Sequence, residues 1–199
     1  PMNKLNIPLL PSQARFYFEW KLEPSSSAYN MGFLFTIKGL TNVNKLSHAV
    51  IALGKRFPIL KARFFENSNL CQSLIENNSP NLIIKDLSND VKVNNSIRDI
   101  VHDTLYTPFD LNRGPLTRFV LIKTASTQMQ FIMCCHHIVI DHASIQLIIK
   151  HIENVYNSDV VELPKNTHSK LIFDGKVNPD FNLYWKHRLD KALLKLPLP

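Results

Sequence analysis

The sequence predicts an α/β fold, a two-layer sandwich in which helices cover a mixed, mostly antiparallel sheet. Segments with strand and helix periodicity alternate along the chain, and one pair of strands is close enough in sequence to form a hairpin. The chain has 199 residues, of which 45% are hydrophobic and 20% charged. These values suit a globular protein with a substantial core, so we expect residues 1–199 to form a single domain.

The first third of the chain alternates helix and strand signals. A helix is predicted from Pro11 to Trp20, with Ser12 as its N-cap. Residues 29–38 alternate apolar and polar side chains as a half-buried strand does. Apolar residues at helical spacing then predict a helix over residues 43–57, which the following proline ends.

The middle of the chain contains the hairpin. Residues 63–65 and 70–75 are its two strands, and the polar residues 66–69 join them. A short apolar strand is predicted at 82–84, and a helix with one apolar face at 94–105.

The last part of the chain begins with a loop. Residues 107–115 are dense in turn-forming residues. Strands are predicted at 118–123 and 128–135, and a helix at 143–156. A polar stretch gives little signal before a final helix, predicted at 182–194.

The cysteines indicate a reducing compartment. The chain has only Cys71, Cys134 and Cys135, and the last two are adjacent in an apolar strand, which disfavours a disulfide framework. With no signal-peptide pattern and no apolar run near the roughly 20 residues needed to span a bilayer, we expect a cytoplasmic protein without a membrane segment.

The formal net charge is +7. This fits either a solvated basic surface or an acidic partner. Nucleic acid is not the expected partner, because lysines and arginines are scattered and no basic helix or stacking-aromatic motif is present.

Residues 134–142, Cys-Cys-His-His-Ile-Val-Ile-Asp-His, lie where a buried strand ends and a helix begins. Strand ends in α/β folds are where side chains meet a crevice. In a structural interpretation, the histidines bond the backbone and Asp141 caps the helix. In a catalytic one, a histidine at the strand end accepts a proton from an incoming nucleophile.

A metal site is the third interpretation, since cysteine and histidine are good zinc ligands. On a strand, however, successive side chains point to opposite faces. Cys134 and His136 would then lie on one face and Cys135 and His137 on the other, so they would not share an ion. We therefore expect no metal.

His136-His137-Ile138-Val139-Ile140-Asp141 resembles the His-His-x-x-x-Asp-Gly motif of nonribosomal peptide synthetase condensation domains. Residues 10–17 resemble that family's first motif, and 56–64 resemble its second, Arg-His-Glu-x-Leu-Arg-x-x-Phe. Residues 108–118 match the segment before the histidine motif, and 184–189 a Tyr-Trp-x-x-x-Leu helix. The resemblance covers nearly the whole chain in order.

The resemblance implies the N-terminal lobe of a condensation domain, with a fold like chloramphenicol acetyltransferase. The active site of the family lies in a tunnel between this lobe and a C-terminal lobe, so we expect the isolated lobe to be inactive. The implied reaction forms an amide bond between acyl or aminoacyl groups. These groups arrive on phosphopantetheine arms of peptidyl or acyl carrier proteins, and no directly bound cofactor is implied. Carrier proteins are generally acidic, which suits the basic chain.

The resemblance also assigns roles to residues. His136, His137 and Asp141 form the candidate catalytic set, in which His137 acts on the acceptor amine and His136 points inward to support the loop. Asp141 is structural and held by an arginine, either Arg56 or Arg118. We expect this pair to be buried, because a buried carboxylate without a cation would be strongly destabilising. The expected tunnel-lining residues are Arg15, His142 and Ser144.

The chain departs from the family pattern at a few positions. His142 replaces the glycine of the histidine motif, and Phe57, Pro58 and Lys61 replace the His-Glu and second Arg of the second motif. Residues 157–176 match poorly, with 171–174 as the nearest match to a Tyr-x-Asp-Tyr motif. A stand-alone acyltransferase that uses acyl-coenzyme A, or a degenerate lobe that only docks carrier proteins, therefore remain as alternatives.

Overall fold

A computed structural model of the chain describes residues 7–75, 79–158, 183, 184 and 186–188. Its strands are β1 (Ile7–Pro8), β2 (Asn30–Lys38), β3 (Ala62–Asn67), β4 (Asn69–Leu74), β5 (Leu82–Asp86), β6 (Thr117–Ala125) and β7 (Gln128–His136). Its longer helices are α1 (Pro11–Leu22), α2 (Val43–Arg56), α3 (Val93–Tyr106) and α4 (His142–Asn157). A short 3-10 turn, Pro58–Lys61, follows α2.

The strands form two sheets. The larger has the order β2-β7-β6-β5 and the smaller β1-β4-β3. The pair β5–β6 is parallel, and the other pairs are antiparallel. The predicted α/β fold, with mixed and mostly antiparallel strands covered by helices, is thereby confirmed. Strand β7 is central, since it pairs along its whole length with β2 on one side and over residues 128–135 with β6 on the other.

Helices cover both faces of the larger sheet. The residues of β6 alternate between the faces, so that Phe119 and Leu121 belong to the main core whereas Val120 and Ile122 belong to a second cluster. The main core also contains the apolar faces of α2 and α4, and α3 packs on the second cluster. Helix α3 comes close to β2 at Gly32, where a Cβ atom would overlap the side chain of Leu105.

The predicted elements occur with small shifts of their ends, and two details differ. Ser12 does not cap α1, because the helix begins at Pro11 and the side-chain oxygen of Gln13 accepts the N–H of Leu10 at 3.0 Å. The turn of the hairpin is tighter than predicted, since β3 and β4 are separated only by Ser68, which has a φ of 58°.

The C-terminal predictions fall mostly outside the described residues. Residues 183, 184 and 186–188 are helical, in agreement with the start of the final helix. The rest of that helix and the stretch 171–174 are not described. Among the described helices, none is both long and apolar enough to cross a lipid bilayer.

Candidate active site

The end of β7 is fixed by its two neighbouring strands. The N–H of His136 donates to Leu116 O at 3.0 Å, and the N–H of His137 donates to Tyr29 O at 2.9 Å. The chain then turns, with Val139 N–H donating to His136 O at 3.1 Å. The apolar residues of this turn, 138–140, are all buried in the main core. A turn anchored in this way holds the two imidazoles at defined positions.

His136 is an interior hydrogen-bond acceptor. Its side chain is 3% exposed, and its Nδ1 accepts the N–H of Ile138 at 3.1 Å. Burial, and secondarily the charge of His137, lowers its pKa to about 4. The neutral ring therefore carries its proton on Nε2. The edge-on packing of Phe109, with ring centroids 6.2 Å apart, completes its surroundings.

His137 lies on the other side of the turn, against α1. Its ring stacks on Phe16 with centroids 4.8 Å apart and an interplanar angle of 23°. Its Nδ1 is buried and has no hydrogen-bond partner among the described residues, which leaves Nε2 as the nitrogen that can meet a substrate. His137 borders an open cleft of about 390 Å³. The cleft is lined by Leu10, Ser12, Gln13, Phe16, Ile59, His137, Ile138, Val139, Ile140, Asp141 and Ser144.

Asp141 is the N-cap of α4. Its carboxylate accepts the N–H of Ser144 at 2.8 Å and also the hydroxyl of Ser144. These two hydrogen bonds lower the pKa of Asp141, and the charge of the neighbouring His137 adds to the effect. The carboxylate is therefore ionised at neutral pH, close to the imidazole of His137.

The expected buried pair between Asp141 and an arginine is not formed. Asp141 is exposed, and neither Arg56 nor Arg118 contacts it among the described residues. Arg56 lies over the ring of Phe57 at 5.0 Å. The helix cap satisfies the carboxylate in place of a cation, because exposure leaves little desolvation to offset.

Arg118 binds main-chain carbonyls instead. Its guanidinium donates to Thr104 O at 3.2 Å, Thr107 O at 2.6 Å and Pro108 O at 2.7 Å. It also lies 3.7 Å from the ring centroid of Phe109. Arg118 thus ties the C-terminus of α3 and the loop after it to β6, and it supports the ring that packs against His136.

The three expected tunnel residues lie in different surroundings. Ser144 lines the cleft, whereas Arg15 and His142 are exposed and are not among its lining residues. His142 is the first residue of α4. Outside glycine, the described residues have a positive φ only at Ser68. The backbone at His142 therefore does not require the glycine of the family motif.

The adjacent thiols are not suited to nucleophilic or metal chemistry. Burial raises the pKa of Cys134 to about 11, although Arg118 beside it acts in the opposite direction. Burial raises the pKa of Cys135 as well. Both are thus protonated at neutral pH. No cluster of three potential metal-ligating side chains occurs within the described part of the chain.

Sequence reasoning did not identify how α1 forms one wall of the cleft. Phe16 packs against the main core, and it also stacks on His137 and meets Tyr29 edge-on at 5.0 Å. Gln13 is buried and hydrogen-bonds Gln72 of β4 at 3.1 Å, which fastens α1 to the smaller sheet. The aromatic-rich start of this helix was the available signal.

Replacing Asp141 by alanine is expected to destabilise the fold by about 1 kcal/mol, because the first turn of α4 loses its cap. Since the carboxyl pKa is lowered on folding, its stabilising effect is present above the ordinary value of 3.8 and is lost as the pH falls through the lowered value. Urea unfolding between pH 3 and pH 7 measures both effects. Asp141→Asn is the control, because asparagine caps a helix but does not titrate there. An alanine variant as stable as wild type at pH 7 would contradict the cap.

The fold and the site together define an α/β domain whose central strand delivers a histidine to an open cleft. The family model for the condensation domain matches residues 3–199. The chain therefore belongs to the condensation domain family.

Several curated synthetases contain similar segments. Gramicidin S synthase 2 of Aneurinibacillus migulanus is 29% identical over 150 residues, which cover 75% of this chain and 3% of the synthetase. Surfactin synthase subunit 2 of Bacillus subtilis (strain 168) is 25% identical over 209 residues, which cover 100% of this chain and 6% of that protein. The chain thus spans a small part of these relatives.

Solved condensation domains share the fold. The starter condensation domain of rhizomide synthetase has a TM-score of 0.83 and 19% identity, with 96% of this chain and 51% of that chain covered. A variant of that domain in complex with C8-CoA has a TM-score of 0.79 and 18% identity, with 94% and 46% covered. This chain therefore spans about half the length of these structures.

Proposed function

We propose that the chain is the N-terminal lobe of a condensation domain that forms an amide bond between acyl or aminoacyl thioesters held on carrier proteins. The observation that supports this most directly is the position of His137, whose ring is fixed by Phe16 and borders the open cleft. Family membership and the relation to peptide synthetases give the reaction class.

In this proposal His137 is the group that handles the proton. The acceptor amine attacks the carbonyl carbon of the donor thioester, so that a C–N bond forms and the C–S bond breaks. Nε2 of His137 accepts the proton of the amine and passes it to the leaving thiolate, which becomes a thiol. The ionised Asp141 nearby favours the transient imidazolium, and His136 keeps the turn in place through its bond to Ile138.

A second lobe would close the cleft. The cleft is bounded by α1, the motif turn and the start of α4, and it is open on one side. The chain covers about half of the solved condensation domains. The family tunnel, with carrier-borne phosphopantetheine arms entering it, fits this open side. The net charge of +7 suits acidic carrier proteins, and the free cysteines suit the cytoplasm.

A second candidate is an acyltransferase that takes its donor from coenzyme A. The observation in its favour is that a structural neighbour was solved in complex with C8-CoA. Both candidates use the same histidine and differ only in what carries the donor.

The deciding experiment gives a two-lobed domain containing this chain the same donor acyl group on a carrier protein or on coenzyme A. Product is measured by mass spectrometry with an aminoacyl carrier protein as acceptor. We expect amide product from the carrier-bound donor. Product from the coenzyme A thioester alone would favour the second candidate. Carrier binding without product from either donor would indicate a lobe that only docks.

A further inference from the structure

A small apolar cavity adjoins the cleft that His137 borders. Its volume is about 80 Å³. We call it the side-chain pocket, and its lining residues are Phe57, Ile59, Leu60, Val139, Ile140, Ser144, Leu147 and Ile148. Four of these, Ile59, Val139, Ile140 and Ser144, also line the cleft. The pocket therefore lies directly beside the space in which the substrates would meet.

The walls of the side-chain pocket offer almost no hydrogen-bond partners to a polar group. The one polar residue in its lining is Ser144, and the hydroxyl of Ser144 already donates to the carboxylate of Asp141. The other walls are aliphatic or aromatic side chains, and no charged residue lines the pocket. A polar substituent placed there would lose its hydrogen bonds to water without replacement, whereas an apolar one would gain by leaving water.

The size of the pocket restricts the apolar group further. An apolar cavity of about 150 Å³ lined by similar side chains is known to hold benzene. The side-chain pocket has about half that volume, so it suits a branched aliphatic group and is too small for an aromatic ring.

The chain departs from the second motif of the family at this same place. Phe57 and Pro58 stand where that motif has histidine and glutamate, and Phe57 lines the pocket. An apolar side chain thus borders the pocket at a position where the motif has a polar one. The departure makes the pocket of this chain more apolar than the motif would make it.

We infer that the side-chain pocket receives a branched aliphatic side chain of about three or four carbons, carried by the acyl or aminoacyl group that reacts beside His137. This assignment rests on the proposed function, because it assumes that a thioester-bound group enters the cleft. It adds the substrate class, an aliphatic residue such as the leucyl or valyl group.

Binding to the chain itself tests the pocket. The probes are the N-acetylcysteamine thioesters of glycine, leucine and phenylalanine, titrated while the methyl signals of Leu60 and Ile148, which also line the pocket, are followed by NMR. We expect the leucyl probe to bind at least about 10-fold more tightly than the glycyl probe, since one methylene in a fitted apolar pocket is worth about 10-fold or more. The phenylalanyl probe is expected to bind more weakly than the leucyl probe.

Two variants change the pocket in opposite ways. Ile59→Ala enlarges it and should shift the preference towards the phenylalanyl probe. Leu147→Trp fills it from the rim and should remove the preference for leucyl over glycyl, and the 58% exposure of Leu147 makes this substitution tolerable for folding. Ile51→Ala is the matched control, because Ile51 is 42% exposed on α2 and outside the lining.

Equal affinities for the glycyl and leucyl probes, no detectable binding of any probe, or an unchanged preference in Leu147→Trp would each overturn the inference. The proposed function fails separately. Leucyl-selective binding without amide product in the two-lobed assay would overturn the proposed reaction but support the assignment of the pocket. Amide product with no side-chain preference would support the reaction and overturn the assignment of the pocket.

Discussion

Replacing His137 by alanine in a two-lobed domain that contains this chain is expected to lower the rate of amide formation by about 10²- to 10⁴-fold, the usual contribution of a positioned general acid–base group. The stacking of the imidazole on Phe16 fixes its plane, and the burial of Nδ1 leaves Nε2 to meet the amine. The loss should appear in kcat more than in KM, because the imidazole acts when the proton moves and not when the carriers bind.

The matched control for this variant is His48→Ala. His48 is an exposed histidine on α2 that lies outside the cleft, so its replacement should leave the rate within twofold of wild type. Single-turnover mass spectrometry with both carriers loaded separates the chemical step from carrier binding. A wild-type rate in His137→Ala would show that His137 does not handle the proton.

Much of the fold could be predicted because its signals are local. Alternation along residues 29–38 and helical spacing in 43–57 each depend on one segment and on whether it faces a core. The position of the motif between β7 and α4 could be predicted in the same way. A buried strand, a capping residue at Asp141 and an apolar helix with regular spacing are each recognised from neighbouring residues alone. These elements occur where they were predicted.

The surroundings of the motif depended on residues that are distant in sequence. Asp141 was expected to be buried and therefore to need an arginine, but its burial is decided by the packing of α4 and not by the motif. Phe16 reaches His137 across 121 positions, and no local pattern distinguishes an aromatic ring that stacks on an imidazole from one that fills the core. The side-chain pocket likewise exists only after the turn at Pro58–Lys61 is folded against α4.

Replacing Arg118 by methionine is expected to destabilise the fold by about 3 kcal/mol, because hydrogen bonds to a charged group contribute about 1.5–3 kcal/mol each and several are lost. The guanidinium donates to the carbonyls of Thr104, Thr107 and Pro108. It also places a positive charge at the C-terminus of α3, whose last turn has no basic residue of its own. Methionine retains an apolar stem of similar length and removes all of these interactions. Urea unfolding monitored by circular dichroism measures the loss.

Two further variants show whether the loss of stability in Arg118→Met comes from the hydrogen bonds of the guanidinium. Arg118→Lys keeps the charge but cannot make the planar set of bonds, so it should recover only part of the stability. Arg98→Met removes an exposed arginine from α3 itself and should change stability by less than about 0.5 kcal/mol.

Because Phe109 lies between Arg118 and His136, the NMR signals of the His136 ring should move in Arg118→Met and stay in place in Arg98→Met. Equal stability of the two methionine variants would contradict this role of Arg118. It would mean that water replaces the guanidinium as the hydrogen-bond donor to the main-chain carbonyls, and that Arg118 does not hold the loop after α3 in place.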